Sequence, residues 1–411
     1  MKVVIINRSD SIGGAAIASH RLLHALLDAG VEAHMLVIDK QRDDDAVTAV
    51  GSSLRNKWNF AVERLLVARY NGFSRETLFM IDPATHGLDL SQHPLVQQAD
   101  VIVLGWINQG MLSLKGIEKL AALGKPMVWV MHDMWNCTGV CHHAYECEAF
   151  KNECSNCRLL GCDSLSTSTQ RSKAALYGAG NIHFVAVSHW LKRQCCQSSL
   201  MRECDISVIA NAFPVEQFAP QRLPNSDYGI DPDKKVLVMG AARLDDPMKG
   251  FDSLIETTKY IAGVRPDLAQ RLHLLLFGNI KDASLLEQIA LPYTHLGAVS
   301  DVASIYAHGD IVISTALRES FGLTLLEGLA CGCVPVTFGK GGQEDIVSHL
   351  RTGYIAMYEE PSDMAKGIEW AINAPVRRQQ LHDEVERKFA ASMISRQFIA
   401  LFESLLAKSP R

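Results

Sequence analysis

The chain has 411 residues, of which 48% are hydrophobic and 21% charged, the balance of an ordinary globular protein. At roughly 150 residues per domain, this length indicates two or three domains with cores of their own. Its 40 Lys and Arg residues are outnumbered by 45 Asp and Glu residues, the reverse of the excess typical of nucleic-acid binders. Composition therefore excludes a disordered protein and a small disulfide scaffold, and we expect no nucleic-acid partner.

The beginning of the chain carries no targeting signal that we can identify. The apolar run within Met1–Asn7 is too short for a signal peptide, and no window reaches the roughly 18 apolar residues of a membrane span. We therefore expect a cytoplasmic protein. In that reducing compartment its eleven cysteines would be thiols or metal ligands rather than disulfides.

Short apolar runs alternate with amphipathic helical patterns, such as the one over Ala15–Ala29. Near-continuous apolar runs are typical of parallel strands covered on both faces, so the pattern predicts α/β domains with doubly wound sheets. The predicted strands are Val3–Ile6, Ala33–Ile38, Val101–Leu104, Met127–Met131, Phe184–Val187, Val236–Met239, Leu272–Phe277, Ile311–Ser314 and Val334–Phe338.

Turn-forming residues without periodicity predict a linker over residues 206–228. It separates an N-terminal domain (1–205), which includes a cysteine-rich insert (137–162), from a C-terminal domain (229–388). An amphipathic helix over residues 389–411 then packs against one of them, and crossing back to the N-terminal domain is one option. Ligands bind at the carboxyl ends of parallel strands, so we expect the chemistry in a cleft between the two domains.

Residues 310–338 read as strand, loop, helix and strand. Glu319 falls in the loop, Glu327 on the helix, and Gly322 at the helix start, where backbone amides and the helix dipole favour an anion. Two carboxylates beside an anion site are suited to binding hydroxyl groups next to a phosphate, as on a ribose and a sugar ring. Taken alone, the two glutamates would more often be solvated surface charges.

The run Glu319-Ser-Phe-Gly-Leu-Thr-Leu-Leu-Glu327 resembles the E-x7-E motif of retaining glycosyltransferases of family 4, also called glycosyl transferases group 1. The segments Cys331–Val336 and Gly339–Val347 match the usual sequel to that motif. The resemblance implies the GT-B fold, in which two Rossmann-like doubly wound domains face each other across a cleft. It also implies transfer of a sugar from a UDP- or GDP-sugar to a glycan or lipid-linked saccharide in bacterial surface polysaccharide synthesis, with no cofactor required for catalysis.

The resemblance assigns roles to residues of this motif. Glu327 would bind the ribose diol of the donor, and Glu319 would bind donor-sugar hydroxyls as part of the catalytic set. The backbone amides of Phe321, Gly322 and Leu323 would lie near the sugar and the diphosphate. Two rivals remain at this point: a nucleotide-sugar epimerase or hydrolase on the same fold, and a non-catalytic nucleotide-binding scaffold.

Arg243 and Lys249 follow the predicted strand Val236–Met239 in one loop. Two cations there can neutralise a diphosphate and stabilise the charge that develops on it as it leaves, although loop cations are commonly solvated. The resemblance assigns both residues to donor binding and catalysis.

Two further candidates lie in the N-terminal domain. Gly13 and Gly14 come between a strand and a helix, where they serve either a tight turn or amide contacts to a phosphate; the resemblance favours donor binding by Gly14. His132 ends a predicted strand, and the resemblance places it beside the donor sugar among the catalytic residues. Ser188 and His189, at another strand end, are weaker candidates.

The insert contains Cys141, Cys147, Cys154 and Cys157, which could form a tetrahedral structural zinc site. Free buried cysteines are the alternative.

Upstream, Leu54–Tyr70 predicts a helix with Leu54, Trp58, Ala61, Val62 and Leu65 on one face. One interpretation is that this apolar side rests on an anionic membrane, which would give a peripheral association at the inner membrane face. The favoured interpretation is that it packs against the core while the charged residues of the helix are solvated.

Overall fold

The computed structural model describes residues 1–162, 164–179 and 181–408. It divides into two compact units, one formed by Met1–Phe213 with the chain from Ala391 onward, the other by Pro214–Ala390. Each unit is built on one parallel sheet with helices between most successive strands. In the part of the chain that is described, no helix combines the length and apolar character needed to cross a bilayer.

The first unit contains a seven-stranded parallel sheet in the order β3-β2-β1-β4-β5-β6-β7. Its strands are β1 Lys2–Ile6, β2 Glu32–Val37, β3 Val47–Ala49, β4 Val101–Leu104, β5 Met127–Met131, β6 Ile182–Ala186 and β7 Ile206–Val208. Its helices before the second unit are α1 Gly14–Asp28, α2 Ser53–Tyr70, α3 Pro94–Gln98, α4 Leu114–Ala121, α5 Ser164–Gly178 and α6 His189–Gln197. The apolar side chains of β1, β4 and β5 are almost fully buried, since both faces of the sheet are covered.

The second unit contains a six-stranded parallel sheet in the order β10-β9-β8-β11-β12-β13. Its strands are β8 Lys235–Arg243, β9 Leu272–Asn279, β10 Tyr293–His295, β11 Ile311–Ser314, β12 Val334–Phe338 and β13 Tyr354–Ala356. Its helices are α7 Phe251–Val264, α8 Pro266–Ala269, α9 Val302–Ala307, α10 Leu323–Ala330, α11 Gln343–Ile346, α12 Pro361–Asn373 and α13 Arg378–Phe389. The predicted α/β class with doubly wound parallel sheets is confirmed.

The bounds of the predicted linker and of the predicted last helix differ in detail from those in the structure. The segment 206–228 is not linker throughout, because Ile206–Val208 pairs with β6 as the edge strand of the first sheet. The predicted helix 389–411 begins instead at Ala391, since Phe389 ends α13 and Ala390 adopts an extended conformation. This last helix, α14 Ala391–Lys408, packs against α1; residues 409–411 lie outside the described residues.

Helix α2 is oriented opposite to the favoured reading, in which its apolar face packed on the core. Leu54, Trp58 and Leu65 are 82%, 66% and 65% exposed, whereas Glu63 and Arg64 are buried. The expectation that the charges would be solvated is therefore wrong for these two residues.

The inverted orientation of α2 follows from polar contacts with the segment after it. Arg64 donates to Asp82 Oδ2 at 2.6 Å. Glu63 Oε1 accepts from Thr85 Oγ1 at 2.6 Å and from the His86 amide at 2.5 Å. A buried charge is tolerated when it is paired, and a buried polar group when it is hydrogen-bonded. The Arg64–Asp82 ion pair and the hydrogen bonds to Glu63 therefore let this side of α2 face inward.

Candidate functional site

In the second unit, two predicted site residues that are 70 positions apart in the chain are in contact. Lys249 Nζ donates to Glu319 Oε2 at 2.9 Å, and both side chains are partly buried. The Glu319 carboxylate raises the pKa of Lys249 against the opposing effect of burial, with a further contribution from Asp246. Lys249 is therefore a permanent cation beside a carboxylate.

The turn that carries Lys249 is held against the loop after β11. Gly250 has φ +63°, and a Cβ there would lie 2.0 Å from the Thr315 carbonyl oxygen. Thr315 Oγ1 donates to the Lys249 carbonyl at 3.2 Å, and the Leu317 amide donates to the Met248 carbonyl at 3.0 Å. Only glycine combines this left-handed backbone with so close an approach, and the result fixes Lys249 beside Glu319.

Glu319 is also fixed from the other side, by the loop Gly339–Gly342. Its carbonyl accepts from the Gly342 amide at 2.8 Å, and it forms a parallel bridge with Gly341. A Cβ on Gly342 would lie 2.1 Å from the Ser320 carbonyl oxygen. This glycine-rich segment resembles a family motif in the sequence but had no predicted role; in the structure it supports the Glu319 loop.

Gly322 ends the loop that carries Glu319 and is the N-cap residue of α10, with φ +107°. Among the described residues no side chain caps this helix start, so the first-turn amides, including that of Leu323, can serve an external acceptor. Phe321 beside it is buried and packs edge-on against Phe389, with ring centroids 5.8 Å apart. The predicted helix start is thus present on a tightly packed segment, and anion binding by it stays a prediction.

Glu327 lies on α10, and only 7% of it is exposed. The helix approaches β11 so closely that a Cβ on Gly328 would lie 2.5 Å from Val312 Cβ. The alternative in which Glu327 is a solvated helix-surface charge is therefore wrong.

Gln343 is a residue that the sequence analysis missed. It is 1% exposed, and its side chain lies against Gly322 and Gly341. Within the described residues, neither polar atom of its amide has a hydrogen-bond partner. Such a group is costly to bury, and an orphaned amide beside the helix start is suited to receiving a polar ligand. A glutamine in a glycine-rich loop gave no sequence signal for this.

Arg243 ends β8, where the strand pairing with β9 is irregular after Gly240. Its guanidinium lies 3.2 Å from Asp245 Oδ1 and 3.7 Å from Asp246 Oδ2. Asp245 in turn accepts from the Lys281 amide at 2.9 Å. The structure thus places both predicted cations on one loop, where Arg243 is engaged by aspartates that the sequence analysis did not single out.

In the first unit, His132 directly follows β5 and borders a small cavity together with Gly105 and Asn211. Burial lowers the pKa of His132 to about 4, against the opposing charge of Asp133. Its Nε2 is buried and has no hydrogen-bond partner among the described residues. The imidazole is therefore neutral at physiological pH and can hydrogen-bond a ligand.

Asp133, next to it, was not singled out from the sequence. Its Oδ2 accepts from Trp106 Nε1 at 2.9 Å and from His142 Nδ1 at 2.8 Å, and its Oδ1 accepts from the Trp135 amide at 2.8 Å. Burial acts to raise the pKa of Asp133, but His142 and this amide hold it well below its usual range. The ionised carboxylate therefore orders the chain that follows His132.

The structure assigns different roles to the glycine and serine candidates of this unit. Gly13 has φ +88° and precedes Gly14, the first residue of α1. The turn therefore requires glycine at position 13, while Gly14 is exposed at the helix start. Ser188 caps α6 by accepting from the Leu191 amide at 3.1 Å, which is a structural role, and His189 is exposed on the first turn.

Among the described residues the cysteines of the insert form no disulfide, and no three of the four predicted zinc ligands have sulfur atoms within 4.8 Å of one another. Cys154 is the most buried of the four. Its Sγ accepts from the Gly139 amide at 3.1 Å. Burial raises the pKa of Cys154 to about 11.

Nearby, the fully buried Lys173 donates to the carbonyls of Trp135 at 2.6 Å and Thr138 at 3.2 Å. Burial lowers the pKa of Lys173 to about 7, with Cys141 and Cys154 acting in the opposite direction.

Comparison with known proteins begins with the second unit, where residues 225–388 match the family described as glycosyl transferases group 1. The chain is 24% identical over 192 residues to N-acetyl-alpha-D-glucosaminyl L-malate synthase of Bacillus anthracis, covering 44% of this chain and 48% of that protein. It is 31% identical over 161 residues to D-inositol 3-phosphate glycosyltransferase of Pseudarthrobacter chlorophenolicus, covering 37% and 38%. The chain thus spans less than half the length of these relatives.

Solved structures match over nearly the whole chain. A glycosyltransferase from Rickettsia africae has a TM-score of 0.67 at 15% identity, covering 99% of both chains. Anabaena Alr3699/HepE in complex with UDP has a TM-score of 0.65 at 17% identity, covering 98% of this chain and 100% of that one. The predicted GT-B fold class is confirmed by these structures.

Proposed function

We propose that this chain is a retaining glycosyltransferase that moves a sugar from a UDP- or GDP-sugar to a glycan or lipid-linked saccharide of a bacterial surface polysaccharide. The observation that carries the proposal is the Lys249–Glu319 contact of 2.9 Å, held beside the uncapped start of α10. A cation, a carboxylate and free helix amides in one place suit a ligand with both phosphate and hydroxyl groups. The complex of Anabaena Alr3699/HepE with UDP lends support to such a donor.

In this proposal, Lys249 and Arg243 bind the donor diphosphate together with the amides of Phe321, Gly322 and Leu323. These groups act most strongly as the bond to the anomeric carbon breaks and negative charge grows on the leaving phosphate. No cofactor is then needed to stabilise the leaving group.

The two glutamates and the orphaned amide hold the rest of the donor. Glu319 accepts hydrogen bonds from sugar hydroxyls, and Glu327 accepts them from the ribose diol. We add Gln343 to this set as a hydrogen-bond donor or acceptor, because its buried side-chain amide has no hydrogen-bond partner among the described residues. Because Glu319 already pairs with Lys249, the same carboxylate keeps that cation directed at the donor.

The first unit contributes His132 and Gly14. A neutral His132 hydrogen-bonds a donor-sugar hydroxyl, and the amide of Gly14 binds the diphosphate. The acceptor hydroxyl attacks the anomeric carbon on the face from which the diphosphate leaves, and its proton passes to a departing phosphate oxygen. The configuration at the anomeric carbon is thereby retained, through a transition state of oxocarbenium character.

The decisive test is Lys249→Ala, measured as turnover with the donor that a thermal-shift screen of nucleotide sugars identifies. Loss of one preorganised charge partner typically costs about 100-fold to 1,000-fold in turnover, and we expect a loss of that size. Lys259→Ala is the matched control, because Lys259 pairs with Glu256 at the same 2.9 Å on the surface of α7. Near-parental turnover in Lys249→Ala, with intact folding, would refute the role of Lys249.

The same assay separates the proposed activity from its rivals. Product formation that requires an added acceptor and keeps the anomeric configuration supports a retaining transferase. Sugar conversion without any acceptor would indicate an epimerase or hydrolase. Nucleotide binding without turnover across a donor and acceptor panel would indicate a scaffold.

For the insert, we propose a structural zinc ion held by Cys141, Cys147, Cys154 and Cys157. The donor set suits zinc. An amide directed at Cys154 Sγ and the buried Lys173 would both stabilise thiolates, and the lysine would offset their negative charge. Zinc would give the insert rigidity and would take no part in the reaction.

Elemental analysis of the purified chain tests the zinc site. We expect about one equivalent of insert-bound zinc that is lost in Cys154→Ser and kept in Cys196→Ser, because Cys196 is an exposed cysteine of α6. Equal zinc contents in these two variants would contradict the site.

We also propose that α2 rests on an anionic membrane surface, where a lipid-linked acceptor would be found. Its exposed apolar face of Leu54, Trp58 and Leu65 lies beside the exposed cations Arg55 and Lys57. Apolar insertion combined with basic charge is the pattern of interfacial helices.

Co-sedimentation with vesicles rich in phosphatidylglycerol tests this surface. We expect salt-sensitive binding that the double variant Trp58→Ser, Leu65→Ser largely loses. Val264→Ser, which changes an exposed apolar residue of α7, should bind like the parent. Equal binding by all three proteins would contradict the proposal, and a dimer that only the double variant loses would assign the face to a second copy of the chain.

A further inference from the structure

The side chains of two histidines and one aspartate, His20, His24 and Asp44, meet in the first unit. The proposed function does not use these residues. His20 Nε2 and His24 Nε2 each lie 2.8 Å from the same oxygen, Asp44 Oδ2. These three donor atoms all fall within 4.8 Å of one another. One carboxylate oxygen is therefore shared between two imidazole nitrogens, an arrangement whose chemistry matches a metal centre.

The two histidines come together because of their spacing on α1. Residues four positions apart lie on the same face of a helix, and the two rings are 4.6 Å apart between centroids. The His20 ring is largely buried, whereas 46% of the His24 side chain is exposed. The pair therefore combines one fixed imidazole with one that solvent can reach.

Asp44 lies in the loop between β2 and β3, and that loop is held in place by its own contacts. Asp44 Oδ1 accepts from the Ala46 amide at 2.9 Å. Lys40 Nζ donates to the carbonyls of Asp44 at 2.8 Å and Val47 at 2.9 Å. These bonds orient the carboxylate so that Oδ2 points at both rings, as partners behind the ligands do in metal sites.

We propose that His20, His24 and Asp44 bind a divalent transition-metal ion of the zinc, nickel or cobalt type. Two imidazole nitrogens and one carboxylate oxygen are a donor set that suits these ions. Three protein ligands leave at least one position for water, which the exposure of His24 accommodates. A hydrogen-bonded cluster without an ion is the alternative that the experiment must separate.

The ion would connect two parts of the first unit that are distant in sequence, α1 and the loop after β2. Since α1 starts at Gly14, the clamp would also fix the direction of that helix start. The site is distinct from the cysteine insert in both residues and donor chemistry. Its existence does not depend on the transferase proposal.

The test uses the full chain without an affinity tag, stripped with a chelator and titrated with Zn²⁺ near one equivalent per site. The variants are His24→Ala, which removes an exposed ligand, and Asp44→Asn, which keeps the side-chain size. The control is His86→Ala, because the His86 side chain is 45% exposed and lies 3.8 Å from a carboxylate, that of Glu63.

Bound zinc is counted by elemental analysis after gel filtration, and affinity is measured by calorimetry. Changing a residue that merely orients a ligand weakens metal binding by about 10-fold to 100-fold, so loss of a ligand should weaken this site by more than about tenfold. We expect the parent and His86→Ala to hold one equivalent more than the other two variants. Any zinc in the cysteine insert contributes equally to all four proteins and cancels.

Thermal unfolding supplies a second readout, since an ion that binds only the folded chain raises its melting temperature. We expect Zn²⁺ to raise it further in the parent and in His86→Ala than in His24→Ala and Asp44→Asn. Equal zinc contents and equal thermal shifts in all four proteins would overturn the proposal and leave a hydrogen-bonded cluster only.

Discussion

Replacing Gly250 by alanine tests the argument that one glycine positions Lys249. The native backbone at Gly250 has φ +63°, which costs an ordinary residue about 1–2 kcal/mol. The added Cβ would lie 2.0 Å from the Thr315 carbonyl oxygen, so the turn must also move away, at a cost typical of overpacking, about 1–3 kcal/mol. We therefore expect Gly250→Ala to lower the free energy of unfolding by about 2–5 kcal/mol.

Gly229 provides the matched control within the same unit. It has nearly the same backbone angle, φ +65°, but a Cβ there would meet no atom within 4 Å. Gly229→Ala should therefore cost only the backbone part, about 1–2 kcal/mol. Urea unfolding of the parent and both variants measures the difference. If Gly250→Ala is no less stable than Gly229→Ala, the steric reasoning is wrong.

The same variant has a consequence for activity. Relief of the overlap must shift the turn by on the order of 1 Å, which separates Lys249 from Glu319. Misplacement of that size costs about 100-fold in rate, so turnover should fall by that factor in Gly250→Ala and stay near parental in Gly229→Ala. Equal turnover in both would show that the turn does not position the cation.

Three further variants test the packing and the electrostatics. Burial, with the Asp82 charge, raises the pKa of Glu63 to about 7, so between pH 4.5 and 7 the folded chain keeps a proton that the unfolded chain releases. As the pH rises through this range, the free energy of unfolding should fall by up to about 1.4 kcal/mol per pH unit, and in Glu63→Gln the slope should flatten in pH-dependent urea melts. Ser188→Ala removes the cap of α6 and should cost about 1 kcal/mol in the same melts, whereas no loss would deny the cap its role. Gly328→Ala places a Cβ 2.5 Å from that of Val312, and unchanged stability would show that α10 can move off β11 without cost.

The nine predicted strands all appear in the structure, and the four that were not predicted have a common feature. Val47–Ala49, Ile206–Val208, Tyr293–His295 and Tyr354–Ala356 are each three residues long, and each lies at a sheet edge. A central strand is buried on both faces and needs a recognisable apolar run, whereas a short edge strand is held largely by pairing with one neighbour. Its sequence therefore carries little signal.

Helix α2 was predicted correctly as a helix, but its favoured orientation, with the apolar face on the core, was wrong. The apolar stripe of Leu54, Trp58 and Leu65 suggested the buried face. The inward face is instead the one whose charges find partners, with Arg64 paired to Asp82. No helical period reveals a partner 18 positions away in a loop.

The sequence by itself determined the parallel α/β units and the loop and helix that hold Glu319 and Glu327. It also determined that Arg243 and Lys249 lie at or just after the end of a strand. These features depend on apolar runs and local motifs, which the sequence shows directly. The roles of those residues in a reaction stay predictions. The tertiary structure alone decided that Lys249 meets Glu319, that Gly250 and Gly342 allow this approach, and that two histidines share the carboxylate of Asp44. Such contacts join segments separated by tens of residues, and only the packed chain sets their distances.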